Sequence, residues 1–268
     1  MNSKLLSSIL ITALVTFNPV TVLDVSGAEA ATKKKQSKPK RRDIFADPEN
    51  LKVLSDEISS EQLRQTMRSF ALGLGLRCLD CHVGEEGKLE TYDFASDKKK
   101  LKKKARVMLA MVKDINGEQL TKLDKIEKGN RVSVRCITCH RGQQKPELIQ
   151  DVLVASYSDG GIAAAVEKYA ELRKKYHGSH TFDFSESMLP RFAGDYLNKE
   201  ETMSDAISLL EANQQYFPES FFGSFSLAKA YEQSGEKEKA IKEYEHALKI
   251  NPKAGFVKKK LEKIEKLE

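Results

Sequence analysis

All four cysteines of this chain fall in two copies of one pattern, Cys78-Leu-Asp-Cys81-His82 and Cys136-Ile-Thr-Cys139-His140. Cys-x-x-Cys-His is the spacing by which a porphyrin is held covalently, with two thiols for the vinyl groups and the following imidazole for the iron. A zinc centre would pair its cysteines without repeating the terminal histidine. A thioredoxin-like dithiol would stand beside a βαβ pattern, which is not found here. The chain is therefore expected to carry two haem c groups, one on Cys78, Cys81 and His82, the other on Cys136, Cys139 and His140. Its first domain must then be built around cofactors.

The N-terminus agrees with that chemistry, because covalent haem attachment takes place outside the cytoplasm. A short basic start, Met1 to Lys4, precedes an apolar run from Leu5 to Phe17, and Ala28-Glu29-Ala30 offers the small residues of a cleavage site. Residues 1–30 read as a signal peptide and the mature chain as periplasmic, in a Gram-negative bacterium. The other reading is an uncleaved anchor, but Asn18 and Pro19 leave the run short of the roughly 20 residues of a spanning helix. Residues 31–42, with Lys33, Lys34, Lys35, Lys38, Lys40, Arg41 and Arg42, have no hydrophobic period and read as a basic disordered tether. Much of the net charge of +6 lies there and in Lys98–Lys100 and Lys102–Lys104. These patches read as solvated faces or as docking sites for an acidic redox partner or a membrane surface; nucleic acid is not an expected partner.

Beyond the tether the pattern divides. Residues 43–147 hold all the haem chemistry, and residues 152–268 contain no cysteine. In the second part Gly194, Ala206, Leu210, Asn213 and Pro218 recur 34 residues later as Ala228, Ala240, Tyr244, Ala247 and Pro252, the length of a tetratricopeptide helix pair. Ser224 stands where that repeat usually has tryptophan, with Phe222 and Phe225 as the residues that can supply the bulk. Gly161 to Tyr176 reads as one more helix, with Ala165, Tyr169 and Leu172 on one face, and the stretch from Lys253 as a charged capping helix. The fold class is all-α: a small dihaem domain with few or no strands, then helical repeats suited to docking a protein partner.

The sixth iron ligand decides between carrying electrons and binding substrate. Residues 43–147 contain no histidine besides His82 and His140, so bis-histidine ligation within that domain is excluded. His177, His180 and His246 lie among the repeats and read as surface residues. The soft donors left are Met67, Met108 and Met111. Met67 shares a helical face with Leu63 and Phe70 and is the candidate for the first haem; Met108 or Met111 serves the second.

The order and wording of several segments are more specific than the cysteine pattern. Asn50-Leu-Lys-Val-Leu, Leu63-Arg-Gln-Thr-Met67 and Arg77-Cys-Leu-Asp-Cys-His82 are followed by Asp93-Phe-Ala-Ser-Asp-Lys98, Ala105-Arg-Val-Met-Leu-Ala-Met111, Ile115-Asn116 and Cys136-Ile-Thr-Cys-His-Arg-Gly142. Over about residues 48–147 this resembles the cytochrome c subunit family of photosynthetic reaction centres. The resemblance implies an axial methionine upstream of each Cys-x-x-Cys-His, Met67 for the first haem and Met108 for the second, with Met111 as packing. The photosynthetic subunit carries four haems, and its segment before the second motif has a histidine that serves another haem. Residues 117–135 here have none, so the chain resembles one haem pair fused to repeats. The expected function is a periplasmic electron carrier, not an enzyme, that exchanges electrons with a protein donor and acceptor. The alternatives are a dihaem peroxidase or other haem reductase with one open iron site, and a redox-tuned adaptor or assembly protein.

Overall fold

The computed structural model describes residues 43–126 and 132–266; the expected signal peptide and tether lie outside the described residues. The haem half begins with helix α1 (Ser60–Leu74), a one-turn helix α2 (Cys78–Cys81) and an antiparallel hairpin, β1 (Val83–Glu85) and β2 (Lys88–Asp93). Helix α3 (Lys100–Asp114) runs into a π turn, Ile115–Gln119, and a 3-10 turn, Leu120–Lys125; the short helix α4 (Cys136–His140) closes this half. The hairpin is the only sheet among the described residues, so the all-α expectation holds with one small exception.

Local chemistry sets the ends of α1. Ser59 accepts from the Gln62 backbone N–H at 3.2 Å while its own N–H donates to Gln62 Oε1 at 3.0 Å, a reciprocal cap that satisfies two otherwise orphan donors. The helix stops at Gly75, which takes the left-handed conformation, φ 64°, that a Cβ would resist.

The second half is a stack of helix pairs. Helix α5 (Ile149–Tyr176) is broken at Gly160 and Gly161, and its second limb buries Ala165, Tyr169 and Leu172, the face expected from the sequence. Helices α6 (Met188–Tyr196) and α7 (Met203–Tyr216) form the earlier repeat, α8 (Phe221–Ser234) and α9 (Lys237–Ile250) the later, and α10 (Gly255–Glu265) caps the stack with Val257 and Ile264 turned inward. Ala228, Ala240 and Ala247 are fully buried where helices cross, and the absence of bulk there lets backbones approach. Of the two candidates for the missing tryptophan, Phe225 takes the place. Its ring lies 6.1 Å from Tyr244 and 5.2 Å from Phe256, whereas Phe222 is 39% exposed. Asn213, which replaces the alanine found at 247, fits because its neighbour is Gly223; a Cβ there would come within 2.9 Å of the amide nitrogen.

Burial is unequal between the halves. Residues Ile149 to Ile264 share one apolar core. Between Asp43 and Glu147, Leu63 is the only fully buried large apolar side chain among the described residues. Leu72, Val107 and Ile126 meanwhile stand 73%, 70% and 84% exposed. About a hundred residues rarely hold together on so small a core without disulfides, metals or cofactors.

Candidate haem-binding turns

The two cysteine motifs fold into the same local structure. In each an arginine, Arg77 or Arg135, precedes one helical turn, and the side chain three residues on takes its backbone N–H: Asp80 Oδ2 at 2.7 Å, Thr138 Oγ1 at 3.0 Å. The turn sets the two thiols one helical turn apart and delivers the histidine at its end. The cysteines are unpaired; Cys78 and Cys139 are exposed, Cys81 and Cys136 half-buried. Burial raises the Cys136 thiol above its ordinary range, and burial with the neighbouring Asp80 carboxylate does the same for Cys81.

The two imidazoles are held differently, His140 by a hydrogen bond and His82 by packing, its buried Nδ1 having no hydrogen-bond partner among the described residues. His140 is buried, 7% exposed, and its Nδ1 lies 2.9 Å from the Gln143 carbonyl oxygen. As a donor to that carbonyl, Nδ1 carries a proton, and Nε2 is the ring nitrogen that remains for a ligand. The Gln143 carbonyl reaches back because Arg141 and Gly142 both adopt positive φ, 50° and 87°. His82 is half-buried, its ring edge-on to Phe94 with centroids 5.0 Å apart. Burial, with the Lys102 cation adding to it, holds His82 below the ordinary histidine range, which favours its neutral form.

A charged hub that the sequence did not announce fixes the loop behind His82. Lys102 lies in the run Lys98–Lys104, but its side chain turns inward and donates to the carbonyls of Phe94, Ala95 and Ser96 at 2.7, 3.1 and 2.9 Å. It is a structural cation; Lys98, Lys99, Lys100, Lys103 and Lys104 stay at the surface. Asp97 gathers Lys52 at 2.6 Å, Arg106 at 2.7 Å and Asn50 Nδ2 at 3.0 Å, while Arg106 also donates to the Asn50 carbonyl at 2.7 Å. Three of the segments singled out by their wording, at 50–54, 93–98 and 105–111, thus meet in one network.

Lys52 foremost, then Arg106 and Asn50, pull the Asp97 carboxyl well below the usual carboxylate range. A depressed folded-state pKa stabilises the fold above the unfolded value, roughly 3.9, and that contribution is lost as pH falls below it. Asp97→Asn is therefore expected to lower the melting temperature at pH 7. The gap from wild type should narrow as pH drops below about 4. Thermal melts across pH measure this, and a pH-independent gap would count against the charge network.

The two turns are braced through α1. A Cβ on Gly73 would meet Ile137 N at 3.1 Å and Cys136 Cβ at 3.2 Å, so α1 lies directly on α4; the Gly142 N–H donates to the Gly73 carbonyl at 2.9 Å. Gly75 sits against Gly142, which is two residues past His140. Gly75 and Cys78 are three residues apart, at most about 11 Å of chain. At the far end of α3, Asn116 clasps Val134 both ways, Nδ2 to its carbonyl and Oδ1 from its N–H, each at 2.8 Å. That pairing ties the Met108 helix to the segment entering α4.

The methionines lie on these helices. Met67 is half-buried in the middle of α1, Met108 half-buried in α3, and Met111 is 44% exposed one turn on. Sequence reasoning missed Gly73, Gly75 and the Gln143 carbonyl, and it quoted Asn116 without a role; these roles depend on contacts that the fold makes. Of the remaining histidines, His177 and His180 are exposed as expected. His246 is half-buried, with Nδ1 3.0 Å from Ser224 Oγ inside the repeat.

The residues present fit a pair of covalently held haems. They supply four unpaired thiols on one-turn helices and two imidazoles, one with Nδ1 engaged. They also leave apolar side chains at the surface that a porphyrin face would cover.

The protein-family model described as photosynthetic reaction centre cytochrome c subunit matches residues 17–187, and a tetratricopeptide repeat model matches residues 222–254. No curated protein matches the sequence. The first match covers well over half of the chain, and the protein belongs to the photosynthetic reaction centre cytochrome c subunit family. The resemblance and its order, cytochrome region first and repeat second, are borne out. The family points to c-type electron transfer, the repeat to protein–protein contact. Its match reaches residue 187 and so takes in α5, whose Ile149 and Leu153 pack into the core of the repeats.

Proposed function

We propose that this chain is an exported two-haem c-type cytochrome of the bacterial periplasm. In this reading it carries electrons by outer-sphere transfer and docks a protein partner through its repeats. Cys78, Cys81 and His82 would hold one haem and Cys136, Cys139 and His140 the other, with Met67 and Met108 on the distal sides. The observation that carries the reading is His140: a buried imidazole whose Nδ1 is bound to a backbone carbonyl at 2.9 Å in the turn that follows two free thiols. When bound, haem supplies a one-electron iron couple.

What the chain contributes is positioning and environment. The Nδ1 bond fixes the ring plane and makes His140 a better donor. Methionine opposite histidine favours the reduced state relative to a second histidine, and a filled coordination shell lets electrons pass without bond making. The bracing of α4 against α1 keeps the two attachment turns close enough for exchange between them. Lys98, Lys99, Lys100, Lys103 and Lys104 form the surface on which an acidic donor or acceptor would be steered, so association should slow with added salt.

The exported, mature protein is expected to contain two haems per chain that resist acid–acetone extraction, which pyridine haemochrome absorbance against protein concentration measures. One haem, or none, would refute the two-haem assignment. Rapid stoichiometric carbon monoxide binding to the reduced wild type would favour an enzyme with an open iron site.

A further inference from the structure

We infer that Thr181, in the loop between α5 and α6, is a positioning residue for the second haem, so that the repeat half sets the properties of that haem and not of the first; this rests on the two-haem reading above. Thr181 is buried, 5% exposed, and its hydroxyl donates to the Arg141 carbonyl at 2.7 Å across forty residues of chain. The Ser179 hydroxyl stands behind it, 3.0 Å from Thr181 Oγ1. The accepting carbonyl belongs to a strained position, since Arg141 holds φ 50° without being glycine and Gly142 follows at φ 87°. Non-glycine residues persist in that region only where their surroundings hold them. The turn so held is the one that sends Gln143 back to His140: the Gln143 N–H donates to the His140 carbonyl at 2.9 Å, and the Gln143 carbonyl takes His140 Nδ1 at the same distance.

Thr181 is itself anchored in the repeat half. Its neighbour Phe182 is buried in that core and packs edge-on against Tyr176, centroids 5.4 Å apart. The path therefore runs from the repeat core to Thr181, to the Arg141–Gln143 turn, to the His140 ring. His82 has no counterpart. Its surroundings are Phe94 and Lys102, both within the haem half.

A hydrogen bond from Nδ1–H to a fixed carbonyl increases the electron donation of the imidazole and favours the oxidised metal. Loosening the turn should weaken that donation and raise the potential of the second haem alone. Removing such an outer partner is expected to change the reduced-to-oxidised ratio about tenfold at a fixed electrode potential, ~59 mV for a one-electron couple.

The experiment is a spectroelectrochemical titration of the full-length holoprotein as wild type, Thr181→Val, Thr181→Ser and Ser179→Ala. Thr181→Val keeps the shape and removes the donor; one of the two transitions should move upward and the other stay. Thr181→Ser should restore the wild-type value, and Ser179→Ala, which removes the hydroxyl that holds Thr181 through its Oγ1 and N–H, should give a smaller shift of the same sign. Unchanged transitions in both Thr181→Val and Ser179→Ala would overturn the inference. So would equal movement of both transitions, which would mean general loosening. A wild type with a single transition and a single haem would instead overturn the two-haem reading beneath it.

Discussion

Gly75→Ala is expected to lower the melting temperature of the protein by about 6–12 °C, the shift that a loss on the order of 3 kcal/mol gives in a chain of this size. Two separate penalties combine. Gly75 sits at φ 64°, where an L side chain costs roughly 1 kcal/mol or more. Its new Cβ would also lie 2.2 Å from the Gly142 carbonyl oxygen, and both partners there are backbone, so no side chain can swing away. Relief requires α1 to lift off α4, which breaks the Gly142 to Gly73 hydrogen bond and separates the two cysteine turns. Gly87→Ala is the control. Gly87 has a comparable φ of 78° in the hairpin but nothing within 4 Å of a Cβ, so it should show only the conformational penalty, about 1 kcal/mol. Differential scanning calorimetry on both variants separates the terms. Equal losses at 75 and 87 would show that the bracing of the two turns contributes nothing.

The parts of this molecule that were readable beforehand are those encoded within a few tens of residues. Two Cys-x-x-Cys-His patterns specify their own one-turn helices, because three-residue spacing and a polar side chain at the third position suffice. A 34-residue recurrence, Ala206 to Ala240 and Pro218 to Pro252 with small or bulky residues matched between them, marks the helix pairs. The rest depends on partners far apart in the chain. Lys102 looks the same as Lys103 in the sequence. Only the fold of residues 94–96 beneath α3 makes one a buried donor to three carbonyls and leaves the other in water. Asp97 reaches Lys52 across 45 positions, and Gly75 meets Gly142 across 67; no local period encodes either. The hairpin falls within the expectation of few or no strands, but its place was not legible, because β1 is only three residues long and β2 is almost wholly exposed. The wording of the motifs carried a family resemblance and nothing of their contacts; only the fold shows that Asn50, Asp97 and Arg106 share hydrogen bonds.

On the two-haem reading proposed above, Met67→Ala should leave both haems covalently attached, because the thioether positions are untouched, while lowering the potential of one by on the order of 0.1 V or more within the roughly 0.8 V that axial ligands span. The thioether is a soft donor that favours the reduced iron, and water or hydroxide in its place favours the oxidised form. The same substitution should open that iron to carbon monoxide, with one equivalent bound per chain and none in wild type. Met67 is half-buried on the face it shares with Leu63, and truncation costs packing as well. A fall in melting temperature alone therefore decides nothing; the potential and the ligand binding do. Met108→Ala should behave likewise at the second haem. Met111→Ala, at a residue 44% exposed one turn along α3, should change neither property. If Met111→Ala moved the potential while Met108→Ala did not, the distal assignment on α3 would pass to Met111. If Met67→Ala left spectrum, potential and carbon monoxide affinity as they were, α1 would be a brace between the two turns and no source of an axial ligand.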